Sequence, residues 1–295
     1  MNQKFSAVLT NAKTMIEKAY LGKYAIPHIN INNLEWTKTT LLAAEKAKSP
    51  IIIATSLGAV KYMGGFRTVA AMLTGLIQDL KITVPVALHL DHGTYEGCQE
   101  ALAHGYSSIM FDGSHLSFAE NLAKTKLIVE QAKKLNVSIE VEVGSIGGEE
   151  DGVSSAGELA DLNQCVQMSQ LDITMLAAGI GNIHGVYPAN WKGLNFTVLD
   201  QISQTIKKPM VLHGGSGIPN DQIKKAISLG IAKINVNTEL QLAFANAVSQ
   251  YIKAGHAENM IKKGFDPRKL LKDGTNAIEA VVLAKIKLFG SENKA

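Results

Sequence analysis

The chain has 295 residues, 46% of them hydrophobic and 19% charged, with a formal net charge of +3. That composition describes a globular chain with ample apolar surface for a core and argues against disorder. Its interleaved charges offer no basic tract for nucleic acid, and no run approaches the roughly 18 apolar residues a membrane crossing needs, so neither partner is expected.

The first twenty residues mix charges into a helix-like pattern without an apolar stretch and small cleavage residues, so no secretion signal is expected. Cys98 and Cys165 lie far apart and outside any CxxC pattern. They suggest neither a disulfide framework nor a thiolate metal site, and a reducing cytoplasm fits them best. Apolar, β-branched runs then recur: YAIPHINI (24–31), PIIIATS (50–56), PVALHLD (85–91) and SIMFDG (108–113). VSIEVEVG (137–144), ITMLAAG (173–179), KPMVLHGGSG (208–217) and IAKINVNT (231–238) follow. Between them, stretches such as LEWTKTTLLAAEKAK, FRTVAAMLTGLIQDL and SFAENLAKTKLIVEQAKKL carry apolar residues at three- and four-residue steps, as amphipathic helices do.

Eight strands alternating with helices predict an α/β fold of the (β/α)8 TIM-barrel type, although a doubly wound open sheet shows the same alternation. The barrel is favoured because no GxGxxG follows the first strand and polar residues end almost every strand, where barrel sites lie. No linker divides the chain, so residues 1–295 read as a single barrel domain, with IEAVVLAKIKLF in a C-terminal helical extension. GSIGGEEDGVSSAGEL (144–159) lacks periodicity and reads as a mobile lid.

Polar residues at strand ends should meet at one mouth. His92, His184 and His213 are each followed by glycine and supply the three neutral imidazoles of a catalytic zinc site with an open position. Asp91, beside one of them, suits either an orienter of that ligand or a base near substrate. His89 reads as an inward packing residue. Lys233 shares the inward parity of Asn235, and an ion pair with Glu140 is preferred over a Schiff-base role. LHGGSGIP (212–219) and NVNT (235–238) together argue for a phosphorylated ligand near the last two strands. TSLGA (55–59) could hold a second phosphate or be an ordinary turn.

In order along the chain, HLDHG, EVEVGSIGGEEDG, GNIHGVY, VLHGGSGIP, KINVNTE and FDPRK resemble the class II, zinc-dependent ketose-bisphosphate aldolases. The resemblance implies reversible cleavage of fructose 1,6-bisphosphate, with tagatose 1,6-bisphosphate or a catalytically silent phosphosugar-binding barrel as the rival readings. It implies Zn2+ on His92, His184 and His213, with Glu142 touching the metal in an alternative position. Asp91 would move the C4 hydroxyl proton and Glu150 the C3 proton. Gly185, Gly214, Ser216, Asn237 and Thr238 would bind one phosphate, with a monovalent cation (Na+ or K+) nearby. Ser56 and a neighbouring subunit's Arg268 would hold the other, in a homodimer or homotetramer, while Asn30 and Asn235 would contact substrate hydroxyls. One departure stands out: Pro188 occupies the position after HGVY where many relatives have lysine, and the next lysine is Lys192.

Overall fold

The computed structural model describes residues 8–150 and 152–295, without the side chains of residues 150 and 153. Among the described residues, eleven strands run in chain order: β1 (Ile26–Asn30), β2 (Ile51–Thr55), β3 (Val86–Gly93), β4 (Ser108–Phe111), β5 (Ser138–Val143), β6 (Gly147–Glu150), β7 (Val153–Ser155), β8 (Met175–Ala178), β9 (Ile183–His184), β10 (Met210–Leu212) and β11 (Ile231–Val236). Eight of them close a parallel barrel in the order β1-β11-β10-β8-β5-β4-β3-β2. Helices join these strands, as parallel pairing requires of its crossovers. The expected (β/α)8 TIM barrel is the fold.

Strand alternation gives the barrel two different faces. Ile139, Val141 and Val143 of β5 turn outward into the apolar layer beneath the helices, so Glu140 and Glu142 turn inward. The same parity puts Ile29 outside and His28 and Asn30 inside on β1. Among the described residues, one end of the interior is apolar. There the helix Lys13–Gly22 brings Met15, Ile16 and Ala19 against Ile26, Ile52, Met110, Met175 and Val211. This seal leaves the polar layers and the strands' C-terminal ends facing the opposite mouth.

The C-terminal extension is also observed, as the helix Lys272–Phe289. Its buried residues Ile278, Val282, Ile286 and Phe289 recur at helical spacing and make one apolar stripe. Ala25 N donates to Phe289 O at 3.0 Å, tying the helix end to the residue before β1.

The stretch expected to be an irregular lid has more order than its composition suggests. β6 and β7 form an antiparallel hairpin, and β6 pairs in parallel with β9 through Gly147–Ile183 and Gly148–His184. A Cβ on Gly148, at φ +87°, would lie 2.2 Å from His184 O. Glycine here permits close backbone approach. Among the described residues, no helix is long and apolar enough to cross a membrane.

Sealing the apolar end should carry stability. Ile16→Ala, at a position 0% exposed, is expected to lower the unfolding free energy by about 2–4 kcal/mol in urea titrations. Leu21→Ala, on the same helix but 79% exposed, should change it by less than about 0.5 kcal/mol.

Candidate active site

The end of β3 holds the first surprise. Its sequence suggests that the strand stops before His92, yet β3 continues to Gly93 with a register shift after Leu90, and His92 has φ +46°. This bulge re-aims the imidazole, as such irregularities near functional sites do. The close approach falls to Gly93, where a Cβ would lie 2.7 Å from Met110 O and 2.8 Å from Cys98 Sγ. At 92–93 the positive φ thus belongs to histidine, whereas Gly185 (φ +84°) and Gly214 (φ +64°) carry it themselves.

The three histidines converge. His92 Nε2 lies 3.3 Å from His184 Nε2 and 3.0 Å from His213 Nδ1. The second nitrogen of two rings is already engaged: His92 Nδ1 donates to Asp112 Oδ2 at 2.7 Å, and His213 Nε2 donates to Glu140 Oε1 at 2.8 Å. Those carboxylates hold the two rings by one nitrogen each and turn the other nitrogen toward the cluster. Tetrahedral coordination at ordinary metal–nitrogen lengths separates neighbouring nitrogens by about 3.3 Å, so the set fits a divalent ion. His213 is buried and the other two rings are half-buried, leaving an approach from the mouth.

Electrostatics divide the three rings, His92 gaining proton affinity while His184 and His213 lose it. Burial opposes charge on His92, but the Asp112 hydrogen bond and the negative charges of Asp91, Glu142 and Asp112 together outweigh it and raise the pKa to about 10. Burial, then the charge on His92, holds His184 down to about 2. Burial also lowers His213. Glu142, whose Oε2 lies 4.0 Å from His92 Nδ1, is pushed well above the carboxylate range by burial and then by Asp112.

Asp91 faces the same space from a different support. Asn30 Nδ2 donates to its Oδ2 at 2.9 Å and Asn235 Nδ2 to its Oδ1 at 3.2 Å. Burial opposes its charge, but His28 and the nearby histidines hold its pKa well below the usual value. Asn235 Nδ2 also lies 3.1 Å from His213 Nδ1, so this amide bridges the Asp91 carboxylate and the His213 imidazole. The preferred ion pair is present, with Lys233 Nζ 2.8 Å from Glu140 Oε2 and both side chains fully buried. His89 is the expected inward packing residue, its Nδ1 2.7 Å from Ser108 Oγ.

Two spaces open on this centre. Gly185, Gly214, Ser216, Asn237 and Thr238 line a narrow cleft of about 20 Å³, with Asn30, Asp91, His184 and Asn235 on its remaining sides. Ser216 Oγ accepts from Glu239 N at 3.1 Å, at the N-terminus of the helix Thr238–Lys253, whose dipole favours an anion there. A second cavity of about 350 Å³ includes Ser56, His92, Asp112, His115, Glu142 and His184. Ser56 Oγ accepts from Ala59 N at 3.2 Å at its rim.

Not every expected residue joins them. Arg268 has a side chain 89% exposed, is paired with Asp266 at 2.6 Å, and lines neither space. Lys192 is exposed and also lines neither, leaving Pro188 without a replacement lysine among the described lining residues. The side chain of Glu150 lies outside the described residues. Conversely, sequence reasoning missed Asp112 and His28. Asp112 had a readable signal, because it closes SIMFDG just where the neighbouring strands place their polar residues.

Comparisons with known proteins agree with this architecture. A family model described as "Fructose-bisphosphate aldolase class-II" matches residues 10–294. The fructose-bisphosphate aldolase of Mycoplasma genitalium is 58% identical over 288 residues, covering 98% of this chain and 100% of that protein. The Streptococcus pneumoniae protein of the same name is 51% identical over 291 residues, covering 97% and 99%. Among solved structures, the YdjI aldolase of Escherichia coli K12 superposes with a TM-score of 0.82 at 34% identity, covering 98% of this chain and 100% of that one. A putative fructose-1,6-bisphosphate aldolase of Coccidioides immitis gives 0.84 at 28% identity, covering 97% and 98%. With a match spanning nearly its full length and a histidine cluster competent to hold a metal, the chain belongs to the class II fructose-bisphosphate aldolase family.

Proposed function

We propose that this lyase reversibly cleaves D-fructose 1,6-bisphosphate to dihydroxyacetone phosphate and D-glyceraldehyde 3-phosphate, using zinc held by His92, His184 and His213. The observation that carries the reading is the convergence of three imidazole nitrogens, two of them oriented by carboxylates, beside the amide-held carboxylate of Asp91. Bound there, zinc would supply a Lewis acid for the negative charge that develops as the C3–C4 bond breaks.

The chain's own groups supply the proton transfers. Asp91, ionised and fed by two amide donors, takes the proton from the C4 hydroxyl as the C4 carbonyl forms and the C3–C4 bond breaks, its electron pair remaining with C3. Glu150 then delivers a proton to C3 of the dihydroxyacetone phosphate half. Gly185, Gly214, Ser216, Asn237 and Thr238 hold one phosphate at the helix N-terminus, helped by a monovalent cation, Na+ or K+. Ser56 and Arg268 from a neighbouring copy hold the other, which makes the working enzyme a homodimer or homotetramer. Asn30 and Asn235 position substrate hydroxyls, and Glu142 offers the metal an alternative ligand. Residues 1–295 act as one domain, and the cytoplasm is the compartment that supplies such a phosphosugar.

Chelation should abolish cleavage and zinc should restore it, measured by coupled assay of triose phosphate release. Cleavage that survives chelation, with borohydride trapping substrate on Lys233, would overturn the metal reading. Parallel assays with tagatose 1,6-bisphosphate should give the lower kcat/KM; the reverse order would reassign the substrate.

Two substitutions separate the ligand set from the base. Asp112→Asn should weaken zinc binding about ten- to hundredfold in competition with a chelating dye, because the His92 tautomer loses its anchor. Asp91→Asn should retain zinc while kcat falls by about 10²–10⁴.

A further inference from the structure

Beneath Asp91, two residues unused by the proposed chemistry occupy equivalent places. His28 precedes Asn30 by two residues on β1, and Lys233 precedes Asn235 by two on β11, so each supporting residue shares its amide's inward face. Lys233 Nζ donates to Asn235 Oδ1 at 2.8 Å. An ammonium has only hydrogens to offer, so the atom it meets must be oxygen, and the opposite atom of that amide is the NH2 facing Asp91.

The same logic fixes Asn30. An ionised Asp91 can only accept, so the Asn30 atom 2.9 Å away is Nδ2. Oδ1 then faces His28 Nε2, also 2.9 Å away, which must carry the hydrogen. His28 Nε2 lies 3.4 Å from Asp91 Oδ2 as well. Its ring is fully buried and, through burial and then the positive charge of Lys233, its pKa is lowered to about 4, so this donor is a neutral imidazole at ordinary pH.

We propose that His28 and Lys233 are positioning residues that lock the amides of Asn30 and Asn235 with both NH2 groups on Asp91, holding its carboxylate ready to receive the C4 hydroxyl proton. Without the donor below it, each amide can turn its oxygen toward the carboxylate, replacing attraction by repulsion. His28 gives the cleaner test, since removing Lys233 also strands the buried charge of Glu140.

The inference rests on Asp91 acting as the C4 base, and the experiment keeps the two claims apart. His28→Leu, zinc-loaded, should cleave fructose 1,6-bisphosphate with kcat reduced about ten- to hundredfold and KM within about twofold of the parent. Its zinc content should be unchanged. So should its rate of deuterium exchange from solvent into C3 of dihydroxyacetone phosphate, a step that does not involve the C4 hydroxyl. His28→Gln, which restores an N–H donor, should recover most of the lost kcat. An undiminished kcat in His28→Leu, a parallel loss of zinc or exchange, or no recovery in His28→Gln would overturn the positioning role. Asp91→Asn is measured alongside: wild-type kcat there would sink the base assignment itself, whereas an inert Asp91→Asn beside a fully active His28→Leu would sink only the role of His28.

Discussion

The centre depends on charge balance inside a barrel that offers little water. Lys233 and Glu140 cancel one another at 2.8 Å, and burial followed by the neighbouring Asp112 raises the pKa of Glu142, opposing a charge there. Asp91 and Asp112 remain ionised, both held below the usual carboxylate range. Two negative charges beside three imidazoles make a poor neighbourhood for a fully neutral cluster and a favourable one for a divalent cation. The proton that His92 retains in the bare chain meets the same need partially. Metal selection therefore begins with uncompensated charge in the surrounding strands as well as with the three histidines.

That arrangement has a structural cost, since polar side chains fill layers that a stability-only barrel would give to branched aliphatics. The expense is confined by direction. Apolar residues occupy the end sealed by Lys13–Gly22, while His28, His89, Glu140 and Lys233 begin the polar part above it. Outward-facing residues on the same strands continue to build the main apolar layer, so one strand can serve packing on one face and chemistry on the other. The two functions coexist because β alternation separates them by a single residue.

This alternation also explains what the sequence revealed. Eight apolar runs and their intervening helices were legible, as was the inward pairing of Lys233 with Glu140, because both follow from local periodicity. The His92 bulge was not, because it depends on how β3 shifts against β4 around Gly93. The β6–β7 hairpin was hidden in a Gly- and Ser-rich composition, where pairing with β9 decides the structure. Asp112 was overlooked because a lone carboxylate at a strand end acquires meaning only beside the imidazole it orients, 20 residues away in sequence. Arg268 could be named from resemblance alone, and within one chain it remains paired with Asp266 outside both cavities.

The deeper regularity is a repeated two-residue step. His28 lies below Asn30, His89 below Asp91, Glu140 below Glu142 and Lys233 below Asn235, each pair on one inward face. The upper residues line the two cavities and the lower ones contact each other, through Lys233 to Glu140 and the edge-on packing of His28 against His89 with centroids 5.3 Å apart. A layer beneath the cavities can thus dictate hydrogen positions in the layer that lines them. Preorganisation of this kind needs no moving part, because the donor and acceptor inventory of Lys233, Asn235 and Asp91 permits only one complete pattern of hydrogen bonds. Precision at the mouth is consequently encoded one turn of the pleat deeper, where a substitution leaves every cavity-lining side chain in place and still changes the hydrogen bonds that Asp91 can accept.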